Sequence, residues 1–204
     1  VGPPGAPCPR RGNPTVGERR VRNNERMAHL DREQLDAGRA HVLASPSDSG
    51  TVDMIVSRPA VDERAVLDEG ELIVGKGLAG DNYLDRYGDD EPNPEAQLNL
   101  MNSRSVDLVA DGERDRWPLA GDQFFVDLDL SESNVPAGTR LAIGGAVIEV
   151  SPKPHNGCAK FADRFGIDAA RFVNTKDGTR LRGINAMVIE PGVVRTGDTI
   201  EKLG

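Results

Sequence analysis

The segment Lys153-Pro154-His155-Asn156-Gly157-Cys158-Ala159-Lys160-Phe161 gathers a soft nucleophile, two ammonium groups and an imidazole within a short span. A thiolate attacks sulfur and ligates soft metals, and neighbouring cations favour that form of the thiol. Cys158 is therefore the candidate nucleophile or metal ligand, with His155 as the candidate acid or base beside it. Asn156 is a favoured helix N-cap. Cys158, Ala162 and Phe165 recur at i, i+4 and i+7 before Gly166, so the spacing predicts a short helix with Cys158 in its first turn, facing the positive helix end. The competing reading makes Cys158 a small buried apolar residue, a common fate of free cysteine.

Two further stretches could meet an anion. Arg180-Leu181-Arg182 puts two guanidinium groups, one residue apart, on the same side if the segment is extended. Forked donors on one face suit a phosphate or carboxylate, although a pair of solvent-facing edge arginines fits the local sequence as well. Around Gly80 and Asp81, the glycines of Gly75-Lys76-Gly77-Leu78-Ala79-Gly80-Asp81 allow backbone amides to approach an anion. No Gly-Lys-Ser/Thr opens a following helix, so this is not a nucleotide phosphate loop.

The elements that must position these groups read as short strands joined by turns. Valine, leucine and isoleucine recur in brief runs punctuated by 23 glycines and 14 prolines, which predicts a mostly β barrel or sandwich. Strands are expected over 51–57, 64–67, 71–74, 97–101 and 121–126, with the second and third forming a hairpin around Asp68-Glu69-Gly70. A second hairpin, 140–143 with 146–150, turns at Gly144-Gly145 and delivers the chain to the cysteine loop. Three closing strands fall at 184–190, 192–195 and 198–202. Helices are expected over 30–43, after an Asn102 cap, and beyond Gly166. The acidic, proline-bearing stretch 85–95 reads as a surface loop able to overhang a site.

Residues 1–26 carry six arginines without apolar periodicity and read as a disordered leader. Residues 27–50 read as a helical extension, and 51–204 as the barrel domain. The net charge of -8 argues against a general nucleic-acid surface, yet residues 151–182 hold seven basic groups against three acidic, a cationic island suited to a small anion. Cys8 and Cys158 lie far apart, which implies no disulfide framework and points to a reducing, cytoplasmic setting. No apolar run is long enough to span a membrane, and no secretory signal opens the chain.

Taken in order, Gly77-Leu78-Ala79-Gly80-Asp81, the run from Pro136 through Gly144 into Ala146-Val147-Ile148-Glu149-Val150, the cysteine loop, and Pro191-Gly192-Val193-Val194-Arg195-Thr196-Gly197-Asp198 resemble the MOSC family, the molybdenum cofactor sulfurase C-terminal domain. The resemblance spans 52–204 and implies a β-barrel with short peripheral helices. For Cys158 it implies either ligation of molybdenum in a bound molybdopterin or carriage of sulfur received from a cysteine desulfurase. Pyridoxal phosphate would then act only through that partner enzyme. Some relatives reduce N-hydroxylated compounds, which would call for a redox partner protein. The resemblance also implies basic residues around the pterin phosphate, for which Lys160, Arg180 and Arg182 are the candidates, with Gly80, Asp81 and Asn156 nearby. Where many relatives place Glu-Asn, this chain has Asp122-Gln123.

Overall fold

The structure is a computed structural model and describes residues 19–20 and 29–204. Apart from Arg19–Arg20 (β1), which pairs with the edge of β3 (Ala65–Leu67), the expected leader lies outside the described residues. Seven strands close a barrel in the order β2 (Ser49–Ser57), β12 (Thr199–Lys202), β8 (Arg140–Ile143), β9 (Ala146–Val150), β10 (Ile184–Glu190), β6 (Leu98–Asn102) and β7 (Phe124–Asp127), which returns to β2. Every pairing in the ring is antiparallel except β6 with β7. A second, three-stranded sheet joins β4 (Glu69–Ile73) to β5 (Gly77–Leu78) on one side and β11 (Gly192–Arg195) on the other.

The period-2 alternation of strands separates two cores. Val52, Ile55, Leu98, Leu100, Phe124 and Val126 fill the barrel interior with residues of the other strands. Their alternates Met54, Val56, Met101 and Phe125 face outward, under helices α1 (Arg32–Leu43), α2 (Ser103–Val109), α3 (Ala159–Phe165) and α4 (Ile167–Val173). A register shift between Val52 and Met54 puts these two residues, two apart in sequence, on opposite faces of β2. Helix α1 opens on a capping box between Asp31 and Gln34, and buries Leu35 and Val42 in the outer core. The N-terminal extension is thus packed onto the barrel wall. No helix among the described residues is long and apolar enough to cross a membrane.

The expected hairpin across Asp68-Glu69-Gly70 does not form. β3 pairs with β2, whereas β4 crosses into the other sheet to pair with β5 and β11. Gly70 makes this crossing close-packed: a Cβ there would lie 2.5 Å from a Leu78 side-chain carbon. Gly77-Leu78, read from sequence as part of an anion-binding loop, is a strand, and Gly77 packs with its Cβ position 2.8 Å from the Gln97 carbonyl oxygen.

Candidate functional site

Residues 151–158 leave β9 without regular structure and reach α3, and nearly every turn of this loop is tied down. Ser151 donates from its amide to the Asn185 carbonyl and from its hydroxyl to the Glu95 carbonyl. Asn185 Nδ2 donates to the carbonyls of Lys153 and Pro154, at 3.0 and 3.1 Å. Asn174, at the end of α4, closes the loop by accepting from the Gly157 amide and donating to the Gly157 carbonyl. Cys158 is therefore carried on a braced segment.

Cys158 is exposed, which removes the buried-core alternative. It is itself the N-cap of α3, extended at φ -98° and ψ -179°, and its side chain makes no capping bond. Asn156 does not cap the helix; it lies two residues earlier, exposed. Gly157 spends its amide and carbonyl on Asn174 and so stays in the loop, and the helix that begins after it buries Phe161 and Phe165.

His155 turns away from solvent and makes a 2.6 Å hydrogen bond from Nε2 to Asp122 Oδ1. The same carboxylate, fully buried, accepts from Arg182 Nη1 at 2.8 and 2.6 Å. Arg182 also donates from Nη2 to the Ala120 carbonyl and lies 5.0 Å over the Phe161 ring. Burial alone would raise the Asp122 carboxyl, but the Arg182 charge and then His155 hold it below the usual carboxylate range. Burial, reinforced by the Arg182 charge, pushes His155 below its ordinary value against the pull of Asp122. The imidazole is thus neutral near neutral pH, and Nε2 carries the proton it donates to Asp122.

A prediction follows for stability. A histidine that binds its proton less readily when folded makes the unfolded state the better proton acceptor, so stability is full above the ordinary histidine pKa of about 6.5 and falls as pH drops below it. Denaturant titrations at successive pH values should show this slope. A His155→Asn variant should show it flattened.

Arg180 and Arg182 do not share an extended face. Gly183 N donates to the Arg180 carbonyl at 2.7 Å, closing a turn, and Arg180 sits in the left-handed region at φ 47°. Arg180 bonds the Val135 carbonyl from the partly exposed side, while Arg182 goes to buried Asp122. Gly183, at φ 108°, has a Cβ position within 1.9 Å of the Leu100 carbonyl oxygen, so the turn requires glycine. Gly183→Ala should cost about 2–3 kcal/mol in an unfolding titration.

The cations that do surround Cys158 come from across the chain. Arg58, Arg64, Arg86, Lys160 and Arg164 line one pocket with the cysteine. Arg58, at the end of β2, is held by buried Asp81 through Nε at 2.8 Å and Nη2 at 2.9 Å, and donates from Nη1 to Asn99 and the Gly121 carbonyl. Gly80, at φ 76°, turns the chain that delivers Asp81, so both residues act on the pocket through Arg58. Asn99 in turn donates to Asn185, joining this ion pair to the anchor of the cysteine loop. Arg86 arrives from the acidic 85–95 stretch and donates to Asn82 at 2.9 Å. Lys160 and Arg164 both meet Asp62, at 2.9 and 3.0 Å. Burial, then the charges of Arg164 and Arg58, push Arg64 down to about 10, the mark of cations packed with few counter-charges.

The structure thus brings Cys158 and Lys160 together and keeps His155, Asn156, Arg180 and Arg182 on a separate cavity across the loop. Arg58, Arg64, Arg86 and Arg164 were not legible as a group, since 106 positions separate the first from the last. The one local signal was Arg58 directly before Pro59, where a strand must end.

The sequence model of the MOSC domain matches residues 86–201. No curated protein matches the chain. Among solved structures, the YUAD protein from Bacillus subtilis superposes with a TM-score of 0.54 at 14% identity, covering 76% of this chain and 95% of that one. YiiM from Escherichia coli superposes with a TM-score of 0.52 at 24% identity, covering 76% and 70%. At these identities the likeness is one of fold.

Proposed function

Because the chain belongs to the MOSC domain family, we propose that it binds a molybdenum cofactor in the Cys158 pocket, with the cysteine sulfur as the ligand from the protein. The observation that carries this reading is one exposed thiol sharing a pocket with four arginines and a lysine, against Asp62 and Asp81. A pterin phosphate is a dianion whose oxygens take charge-assisted bonds from such groups. Arg64, Arg86, Arg164 and Lys160 are the residues that would receive it. Among the described residues no three His, Cys, Asp or Glu side chains converge on a possible metal site. A metal bound here would depend on ligands that the cofactor brings with it, which suits a pterin dithiolene.

When bound, such a cofactor would supply a metal centre able to exchange two electrons. The chain's own contributions are distinct from that. The bracing of residues 151–158 fixes the sulfur in place, so that its position does not have to be ordered at the moment of binding. Arg58, neutralised by Asp81 and fixed by Asn99, forms a rigid wall of the pocket. Lys160 and Arg164 would exchange Asp62 for the ligand's phosphate.

Reduction of an N-hydroxylated compound is the reaction class within this reading: two electrons from a separate redox protein and two protons cleave the N–O bond and release water. The exposure of Cys158 also favours a second reading, in which it carries a persulfide delivered by a pyridoxal-phosphate-dependent desulfurase. Metal analysis of protein from a cofactor-competent host, beside persulfide labelling of the same sample, tests both. Molybdenum at near one equivalent supports the first, a labelled persulfide without metal supports the second, and neither signal sinks both.

A further inference from the structure

On the other side of the cysteine loop lies a cavity whose wall includes Lys153, Lys176, Arg180 and Arg182, with Glu132 the one acidic residue among the described residues that line it. Its charges differ in kind from those around Cys158. Lys153 and Lys176 are exposed and have no ionic partner among the described residues. Arg180 meets Glu132 only at 4.0 Å, and Glu132 is itself mostly exposed. Arg182, whose side chain is 7% exposed, satisfies both terminal nitrogens through Asp122 and Ala120, but its Nε–H has no hydrogen-bond partner among the described residues. A buried guanidinium N–H without an acceptor is costly, and such groups in folded proteins are generally met by a ligand, an ion or water.

We propose that this cavity is a second oxyanion site, which takes the carboxylate or phosphate group of a small molecule between the Lys153 and Lys176 ammonium groups, against the wall that Arg182 backs from within. The two exposed lysines supply the charge, and Ser151 and Asn185 line the same cavity with side chains already held by Glu95, Lys153 and Pro154. The asymmetry of the two pockets supports the division of labour. The pair Lys160 and Arg164 is already occupied by Asp62, whereas Lys153 and Lys176 are left for an anion from outside. Because the Asn185 side chain holds Lys153 and Pro154 by their carbonyls, an anion bound here sits directly on the segment that carries Cys158. The site is independent of the cofactor reading: it requires neither the thiol nor a metal.

The test is an amide-resolved titration of the full chain with inorganic phosphate and, separately, with acetate. Gly178, Gly183 and Asn185 report on this cavity, while Asn82 and Gly121 report on the Cys158 pocket. The expected result is saturable shifts at Gly178, Gly183 and Asn185 that weaken about tenfold in a Lys153→Gln, Lys176→Gln double variant and persist in Cys158→Ser. Saturation by phosphate alone identifies a phosphoryl group, and saturation by both anions identifies an oxyanion of either kind. Shifts confined to Asn82 and Gly121, or affinity unchanged in the double variant, overturn the proposal. Both lysines are exposed, so the variant keeps the fold, which matching amide spectra without anion would verify. Loss of molybdenum binding with these shifts intact would count against the cofactor reading alone.

Discussion

An Asp122→Ala variant should be about 3–5 kcal/mol less stable than the parent, since it strips the carboxylate from a guanidinium that has almost no access to water. His155 loses its acceptor in the same change, and with it one anchor of the cysteine loop. Arg182→Met alone should also destabilise, because the buried carboxylate is left with only the imidazole. Joining Asp122→Leu to Arg182→Met should recover most of the loss, as apolar replacements of both partners do elsewhere. Urea titrations of the single and double variants measure the coupling directly. A loss below about 1 kcal/mol for Asp122→Ala would mean that water reaches Arg182 and that Asp122 and Arg182 are not a dry pair.

Cys158→Ser should have the opposite signature. Its side chain is exposed and makes no capping bond, so the unfolding free energy should move by less than about 0.5 kcal/mol. Molybdenum retained by protein from a cofactor-competent host should nevertheless fall to background, because a hydroxyl is a poor ligand for a soft metal where a thiolate is a good one. Arg86→Ala and Arg164→Ala should weaken retention in steps, about 1.5–3 kcal/mol per charge-assisted contact, without abolishing it. Molybdenum retained at wild-type level by Cys158→Ser would remove the sulfur from the metal's ligands and leave the persulfide reading to be judged by labelling alone.

The barrel itself was open to reading because its strands obey local rules. The 140–143 and 146–150 hairpin turns on Gly144-Gly145 as its sequence requires, and the closing strands at 184–190 and 192–195 match to the residue. Asn102 caps α2 by accepting from the Ser105 amide, as its side chain and position imply. The failures share one cause, which is choice of partner. Residues 64–67 and 71–74 look like two arms of a hairpin, but the strands that form there, Ala65–Leu67 and Glu69–Ile73, pair in different sheets, and nothing local reveals that. Arg180 and Arg182 alternate only if the segment is extended, and the Gly183 turn against Leu100 is a tertiary demand. The cationic pocket escaped for the same reason: its charges become neighbours only once β2, the 3-10 turn Asp85–Tyr87 and α3 are assembled around the barrel. His155 and Cys158 showed the converse, since proximity in sequence placed them on opposite sides of one loop.

The ring closes where β2 meets β12, with Thr51 opposite Thr199 and Ser49 opposite Glu201, segments about 150 residues apart along the chain. Such a seam makes folding slow by topology rather than by chemistry, because the entropy of bringing these ends together must be met before their contacts return anything. During synthesis the ring cannot be completed until its last strand has emerged, and until then β2 offers an unpaired edge to other chains. The cysteine loop, anchored through Asn185 on β10 and Asn174 on α4, can be braced only late in the same sequence of events. An accessible thiol would therefore exist on the nascent chain before the pocket that is meant to govern it.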